Sequence, residues 1–144
     1  MAATINRVRF VVDENLLRLG RSITALRRDV ACFGQDPVAD LLSAGMLDDD
    51  WIPVIGRRGW VVITNDKRLR TRPAQAELAI QHSLKVIHLF NSGHLTAWDQ
   101  AVQLLSRWPA IEQKTAVDQP GPYWLSVRKT GVRSLSFQPG AVER

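Results

Sequence analysis

Trp60-Val61-Val62-Ile63-Thr64-Asn65-Asp66 is the stretch of sequence that decides the fold. Residues 60–64 are aromatic or β-branched, the residue types enriched in strands, and Asn65-Asp66 is a pair typical of turns. A short run of this kind, bounded by a turn, predicts a strand. Asp66 then stands at the carboxyl end of that strand, which is the edge where open parallel sheets bind their ligands.

Strands and helices are predicted to alternate on both sides of this stretch. The predicted strands are 7–12, 29–33, 60–64 and 85–90, and the predicted helices are 15–28, 48–59, 73–83 and 96–108, with one helical turn within 38–43. Such alternation predicts the α/β class, with a mainly parallel sheet and helices on both faces. Residues 123–128 and 132–137 flank Lys129-Thr130-Gly131 and predict a C-terminal β-hairpin. We expect one domain over residues 1–144, with the hairpin (about 123–137) as an appendage.

The last predicted helix, over residues 96–108, has its large apolar side chains at helical spacing. Trp98, Val102, Leu105 and Trp108 recur at steps of three or four residues, which places them on one face. Tryptophan at such a position is first of all a core residue. We therefore expect this face to be buried.

The composition is that of a globular protein with a basic surface. The 144 residues are 45% hydrophobic and 23% charged, and the net charge of +5 favours an anionic partner such as nucleic acid. Cys32 is the only cysteine, so an intramolecular disulfide is excluded. We expect no signal peptide, and no apolar run approaches the roughly 18 residues that a membrane span needs. We expect a cytoplasmic protein that does not act at a membrane.

Acidic residues follow two of the predicted strands and begin one of the predicted helices. Asp13 follows the first strand, Asp66 follows strand 60–64, and Asp48-Asp49-Asp50 begins the helix between them. If the two strands are neighbours, their carboxylates share one crevice. Carboxylates held together repel each other unless a hard cation binds, and oxygen ligands suit Mg²⁺ and Mn²⁺. Such an ion activates water and stabilises charge on a phosphate.

Each of these acids also has a structural interpretation. Asp48 is a candidate N-cap, Asp66 a candidate turn former, and Asp13 a candidate loop acid. Asn15 either supports a catalytic group or caps the first helix. Spacing alone leaves both interpretations open.

A basic run follows Asp66 directly. Lys67, Arg68, Arg70 and Arg72 are candidates for contacts with the phosphates of RNA beside the metal site. The alternative is a solvated loop on a basic protein, and the sequence does not decide between the two.

Several stretches resemble the compact PIN-like nuclease families. Residues 9–16, Arg-Phe-Val-Val-Asp-Glu-Asn-Leu, resemble their opening strand with its Asp-Glu-Asn signature. Residues 48–52 resemble their middle acid, and residues 57–66 resemble their strand ending in Thr-x-Asp. Gly121-Pro122-Tyr123-Trp124 with the predicted hairpin resembles the subgroup of VapC-type toxins. The resemblance extends from residue 8 to about residue 132.

The resemblance implies a three-layer α/β/α sandwich and an endoribonuclease that depends on Mg²⁺ or Mn²⁺. It implies catalytic and metal-binding roles for Asp13, Asp48 and Asp66, with Asp49 as the second choice within the acidic triplet. Supporting roles around these ligands are expected for Glu14, Asn15 and Thr64. The partners that it implies are an RNA substrate, a cognate antitoxin protein and a second copy of the chain.

The sequence departs from the family pattern in its acidic residues. PIN nucleases usually carry a glutamate in a central helix and a fourth acid after the Thr-x-Asp strand, whereas the only acid soon after Asp66 is Glu77. This departure favours a site for one metal ion, or a catalytically degenerate module that binds RNA or protein without cutting. A third hypothesis is a phosphoacceptor domain, which also has acids after its first and third strands but needs a lysine after a fifth parallel strand. No such fifth strand is predicted.

Overall fold

The computed structural model describes residues 2–142, which form one six-stranded sheet with helices on both faces. The strands are β1 (Phe10–Val12), β2 (Val30–Cys32), β3 (Val61–Thr64), β4 (Lys85–Leu89), β5 (Tyr123–Arg128) and β6 (Gly131–Leu135). Their order is β2-β1-β3-β4-β5-β6, and every pair is parallel except the antiparallel pair of β5 and β6. The predicted mainly parallel α/β/α sandwich with a C-terminal hairpin is therefore confirmed.

The helices are divided between the two faces of the sheet. They are α1 (Ala2–Ile5), α2 (Leu17–Leu26), α3 (Asp48–Arg58), α4 (Arg68–Thr71), α5 (Pro73–Gln81), α6 (Ala97–Leu105) and α7 (Trp108–Lys114), with a 3-10 turn at Glu14–Leu16. Buried residues of α3, α4 and α5 share one hydrophobic cluster, and those of α2, α6 and α7 share the other. Across residues 2–142, no helix combines the length and the apolar character that crossing a membrane requires.

The alternation of side chains along β3 supplies both clusters. Val61 and Ile63 pack in the cluster that contains Leu19 of α2, whereas Val62 packs in the cluster that contains Ile55 of α3. All of these side chains are buried, and full burial of each stabilises the fold by about 1.5–3 kcal/mol. Because both faces of β3 are covered, its sequence is a continuous apolar run.

Helix α3 begins with the acidic triplet and ends at a glycine. Its N-cap is Leu47, and no side chain makes a capping hydrogen bond there, so Asp48 is not the N-cap that one interpretation of the sequence predicted. Asp48 instead lies in the first turn, where a negative charge suits the helix dipole. Gly59 closes the helix with a positive φ of 70°, which glycine adopts without strain.

The two strands of the hairpin extend the central sheet. Strand β5 pairs in parallel with β4 over the full length of β4, with Lys85 opposite Tyr123 and Leu89 opposite Val127. Trp124 and Leu125 are both buried, on opposite faces, so β5 belongs to the core on each side. Burial of these two large side chains explains why the hairpin joins the sheet.

The prediction that the apolar face of residues 96–108 is buried holds only for Trp108, which is partly buried and packs against Phe10, and is wrong for its other three side chains. Two helices, α6 and α7, occupy the segment, and Trp98 is 77% exposed. Val102 and Leu105 are also exposed. The side chains that α6 buries are Gln100, Gln103 and Leu104.

The two buried glutamines of α6 bind backbone carbonyls at the ends of strands. The Nε2 amide of Gln103 donates to the carbonyls of Phe90 and Val127, each at 2.9 Å. The Nε2 amide of Gln100 donates to the carbonyl of Ser92 at 3.1 Å. Buried carbonyls require donors, and this requirement turns a polar face of α6 inward. The same bonds fix the start of the loop that follows β4.

Candidate active site at the carboxyl edge of the sheet

Asp13 and Asp66 are joined through the hydroxyl of Thr64. β1 and β3 are neighbours, and the backbone N–H of Asp13 donates to the carbonyl of Ile63 at 2.9 Å. The Thr64 hydroxyl donates to Oδ2 of Asp13 at 2.8 Å and accepts the backbone N–H of Asp66 at 3.0 Å. The two acids that follow these strands therefore lie at one edge of the sheet, as parallel topology predicts.

The carboxylate of Asp13 is buried, and burial raises its pKa above the ordinary value. Hydrogen bonds from Thr64 and from the backbone of Asn15 lower the pKa, while the negative charges of Asp66 and Glu14 raise it, and the net direction is upward. A buried carboxylate close to a second one is poorly compensated by the protein. Its ionised form is therefore favoured by a cation bound at this edge.

Asp66 is paired with Arg68 in the first turn of the basic segment. Its Oδ1 atom accepts both the backbone N–H and the Nε–H of Arg68, each at 3.0 Å. The bond to Asp66 is the main cause that raises the pKa of Arg68, and the charge of Asp48 raises it further. Arg68 therefore places a positive charge next to Asp66 at the acidic edge.

The acidic triplet at the start of α3 approaches this edge without completing a metal cluster. Oδ1 of Asp48 accepts a hydrogen bond of 2.9 Å from Nε1 of Trp51, and Asp49 and Asp50 are exposed. Within residues 2–142, no three His, Cys, Asp or Glu side chains are grouped closely enough to hold a metal ion.

The side chains at this edge nevertheless supply part of the ligand set that a hard divalent ion needs. Asp13 and Asp66 supply two carboxylates, the ligand type that Mg²⁺ and Mn²⁺ bind, and Mg²⁺ commonly takes only one or two carboxylates with water completing its shell. Of the residues predicted to support these ligands, Thr64 contacts Asp13 directly, and Nδ2 of Asn15 lies 3.5 Å from Oδ2 of Asp13. The side chain of Glu14 instead accepts the backbone N–H of Gly45 at 2.9 and 3.1 Å.

A cavity of about 540 Å³ opens beside Asp66. Three of the four predicted basic residues line it, namely Lys67, Arg68 and Arg70, while Arg72 is exposed outside it. Arg70 also supports the C-terminal segment, since its Nε donates to the carbonyl of Ser136 at 2.9 Å. Among the described residues that line this cavity, Asp66 is therefore the single carboxylate, and several basic side chains accompany it.

Sequence reasoning missed the residues that β4 and β5 contribute to this cavity. Thr64, His88 and Ser126 are opposite one another across β3, β4 and β5 and lie on the face that carries α3 to α5. Arg128 and Phe90 also line the cavity, just beyond Ser126 and His88. The only sequence signal for Phe90 and Arg128 is that each occurs at or just past the end of a strand.

The strand over residues 123–128 was predicted only as one arm of the hairpin, and in the structure it is a fifth parallel strand. This strand, β5, ends at Arg128 and is followed by Lys129. Lys129 lines a second cavity of about 310 Å³, and it does not line the one that contains Asp66. The arrangement therefore gives no support to a phosphoacceptor site around Asp66.

Comparison with known proteins identifies the family. Residues 8–91, more than half of the chain, match the family described as PIN-like domain. The chain belongs to the PIN-like domain family, as its opening strand and its Thr64-Asn65-Asp66 strand end predicted. Neither the curated proteins nor the solved structures gave a match. The family match favours a nuclease-type fold and leaves the substrate to be argued from the site.

Proposed function

We propose that this protein is an endoribonuclease that depends on Mg²⁺ or Mn²⁺. The observation that carries the proposal is the cavity at the carboxyl edge of β3, which joins Asp66 to the cationic side chains of Lys67, Arg68 and Arg70. Cations of this kind hold the phosphates of a nucleic acid, and the carboxylates beside them suit a divalent ion. Arg72, on the same segment, remains a predicted phosphate contact.

Asp13 and Asp66 would hold the ion, and Asp48 would contribute if its carboxylate left the indole of Trp51. When bound, a divalent ion of this kind supplies an acidified water molecule and neutralises charge on the phosphate. The Thr64 hydroxyl binds the carboxylate of Asp13 and the backbone N–H of Asp66, and so positions both residues. Arg68 and Arg70 would orient the phosphodiester, because guanidinium groups bind phosphate oxygens in pairs.

The experiment that tests the proposal compares Asp13→Asn and Asp66→Asn with the wild-type protein. Cleavage of a labelled RNA in Mn²⁺ buffer should be lost in both variants, while their urea unfolding midpoints show that they fold. Arg57→Gln is the control, because Arg57 is exposed in the last turn of α3. Cleavage at the wild-type rate by both aspartate variants contradicts the proposal.

The finer part of the proposal is that the protein is a cytoplasmic VapC-type toxin, with its whole chain as one domain. It would be paired with an antitoxin and able to form a homodimer. Support comes from α6, whose Trp98, Val102 and Leu105 are exposed. Large apolar side chains exposed on one helix often mark a surface for a protein partner. Rescue of growth by the product of an adjacent gene, in cells that express this chain, tests the toxin role.

A catalytically degenerate module that binds RNA or protein is the second candidate. It is favoured by the observation that the described residues contain no group of three metal ligands and that Arg68 already neutralises Asp66. A titration with Mn²⁺ separates the two functions, since an ion that binds the folded state raises the melting temperature. An increase that disappears in Asp13→Asn supports the nuclease, and no increase supports the module.

A further inference from the structure

Phe90 and Arg128 form a wall between the two cavities at this edge of the sheet. Both residues line the cavity of about 540 Å³ that contains Asp66, and both line the neighbouring cavity of about 310 Å³. Lys67 borders the first cavity and Lys129 borders the second. A flexible anionic chain that leaves Asp66 can therefore pass over this wall and meet a cation on each side of it.

Arg128 is held in place by two contacts, neither of which neutralises its charge. Its guanidinium carbon lies 3.9 Å from the centre of the Phe90 ring, and its Nε donates to the Ser126 hydroxyl at 3.1 Å. Arg128 takes part in none of the ion pairs found among residues 2–142. A guanidinium that is oriented in advance, with no carboxylate beside it, is suited to bind a phosphate or to stack on a base.

Phe90 is exposed and yet rigidly attached to the sheet. Its side chain is 41% exposed, whereas Phe10 and Phe33 are buried in the core. The backbone N–H of Phe90 donates to the carbonyl of Val127 at 3.0 Å, and its carbonyl accepts the Gln103 amide at 2.9 Å. An exposed aromatic ring on a fixed backbone resembles the stacking platforms of proteins that bind single strands.

We propose that the Phe90–Arg128 pair is a nucleotide-binding subsite that stacks one unpaired base, with Arg128 contacting the adjoining phosphate. This inference rests on the proposed function and names its substrate class, which is single-stranded RNA. A base within a duplex is already stacked on its neighbours and cannot reach the pair, whereas a single strand can turn its bases outward. The subsite lies beside the acidic edge, so it would hold the strand on one side of the cleavage position.

Binding of a short fluorescein-labelled oligouridylate in EDTA, followed by fluorescence anisotropy, tests the subsite without cleavage. Phe90→Leu should weaken binding by about tenfold, because stacking of one base on a side chain has an effect of this size. Arg128→Gln should weaken it by a similar factor, because it removes a charge-assisted contact with a phosphate. Arg57→Gln, which removes the same charge on α3, should change binding less than twofold. Phe90→Leu keeps an apolar side chain at the same position, so its folding is readily checked by urea unfolding.

The salt dependence of binding separates the two halves of the subsite. Loss of one phosphate contact should reduce the slope of log K against log[salt] by about 0.7 in Arg128→Gln. Phe90→Leu should leave the slope unchanged, since stacking releases no counterion. Arg128→Lys should keep the slope and lose part of the affinity, because an ammonium group is not planar.

Two results would overturn the proposed subsite. One is wild-type affinity for the oligouridylate in both Phe90→Leu and Arg128→Gln. The other is that the wild-type protein binds an RNA duplex of the same length as tightly as it binds the oligouridylate. Failure of the proposed function is a different result. If the oligonucleotide binds as described and Asp13→Asn binds equally well, yet no cleavage occurs in Mn²⁺, the subsite stands and the nuclease proposal fails. If cleavage occurs and both subsite variants bind like the wild type, the nuclease stands and the subsite fails.

Discussion

The hydroxyl of Thr64 lies 2.8 Å from Oδ2 of Asp13 and makes the one side-chain hydrogen bond that lowers the pKa of this buried acid. The same oxygen accepts the backbone N–H of Asp66 at 3.0 Å, so a single buried side chain contacts the carboxylate of Asp13 and the backbone of Asp66. Thr64 has no exposed surface. Its role therefore concerns the stability of the fold as well as the geometry of the site.

Thr64→Val should lower the free energy of unfolding at pH 7 by about 1–3 kcal/mol, because it removes a hydrogen bond to a buried carboxylate and the acceptor of a partly buried N–H. The shape of the side chain is nearly unchanged, so packing contributes little to the loss. Urea denaturation measures the effect, and Thr64→Ser, which retains the hydroxyl, is the matched control. A valine variant as stable as the wild type would show that the hydrogen bond is not needed.

The raised pKa of Asp13 gives the protein a distinct pH dependence in EDTA. Below the ordinary value of 3.8, both the folded and the unfolded state hold the proton, and the shift has no effect. Between 3.8 and the raised folded pKa, the folded state holds more protons, so stability falls as the pH rises through this window. Asp13→Asn should remove this fall and be at least as stable as the wild type at pH 7. Urea unfolding curves from pH 3 to pH 8 provide the measurement, and an unchanged slope in the variant contradicts the prediction.

The opposite pH dependence is expected at the other end of the sheet, where Arg27 binds two acids. Its Nε and Nη2 donate to Asp29 at 2.9 Å each, and Nη2 also donates to Glu112 at 3.0 Å. The hydrogen bonds from Arg27 lower the pKa of Asp29, although burial opposes this. The pair therefore stabilises the fold above pH 3.8, and the contribution is lost as the pH falls through the lowered folded pKa.

Arg27→Gln should cost about 1 kcal/mol at pH 7, a modest value because the guanidinium is partly exposed. The difference between this variant and the wild type should shrink at pH 3 and below. Arg28→Gln, at the exposed neighbouring residue, controls for the change in net charge. Equal stability of Arg27→Gln and Arg28→Gln at pH 7 would contradict the assignment of the effect to the ion pairs.

The sequence was sufficient to place Asp13 and Asp66 at one edge because both follow strands that are buried on both faces. Such strands are uninterrupted apolar runs, and a mainly parallel sheet brings their carboxyl ends together. Helix α3 was predictable for local reasons, since an acidic first turn and a terminal Gly59 mark its ends. These features are encoded within a few residues of each other.

The rest of the site depends on partners that are distant in sequence. Gln103 is buried because it serves the carbonyls of Phe90 and Val127, and no periodicity along α6 could indicate this. The stacking of Arg128 on Phe90 joins segments from two strands whose pairing was not predicted.

The position of α3, and with it Asp48, depends on a close approach at Gly56. A Cβ atom on Gly56 would lie 2.3 Å from the carbonyl oxygen of His82 at the end of α5. Gly56→Ala should therefore destabilise the protein by about 1–3 kcal/mol, although alanine favours a helix more than glycine does. Gly93→Ala is the control, since a Cβ there meets nothing within 4 Å. The melting temperatures of both variants measure the effect. A Gly56→Ala variant more stable than the wild type would show that α3 and α5 separate easily.

Arg68 should compete with a divalent ion for Asp66, because its Nε–H occupies Oδ1 of that carboxylate at 3.0 Å. An exposed ion pair of this kind contributes about 0.2–1 kcal/mol, so Arg68→Gln should bind Mn²⁺ up to about fivefold more tightly in calorimetry. Arg72→Gln removes an equal charge from the same segment without contacting Asp66 and should leave the affinity unchanged. If both variants bind Mn²⁺ more tightly by the same factor, the cause is the loss of one positive charge and not the contact with Asp66. If Arg68→Gln binds Mn²⁺ less tightly than the wild type, the guanidinium supports the ion instead of displacing it.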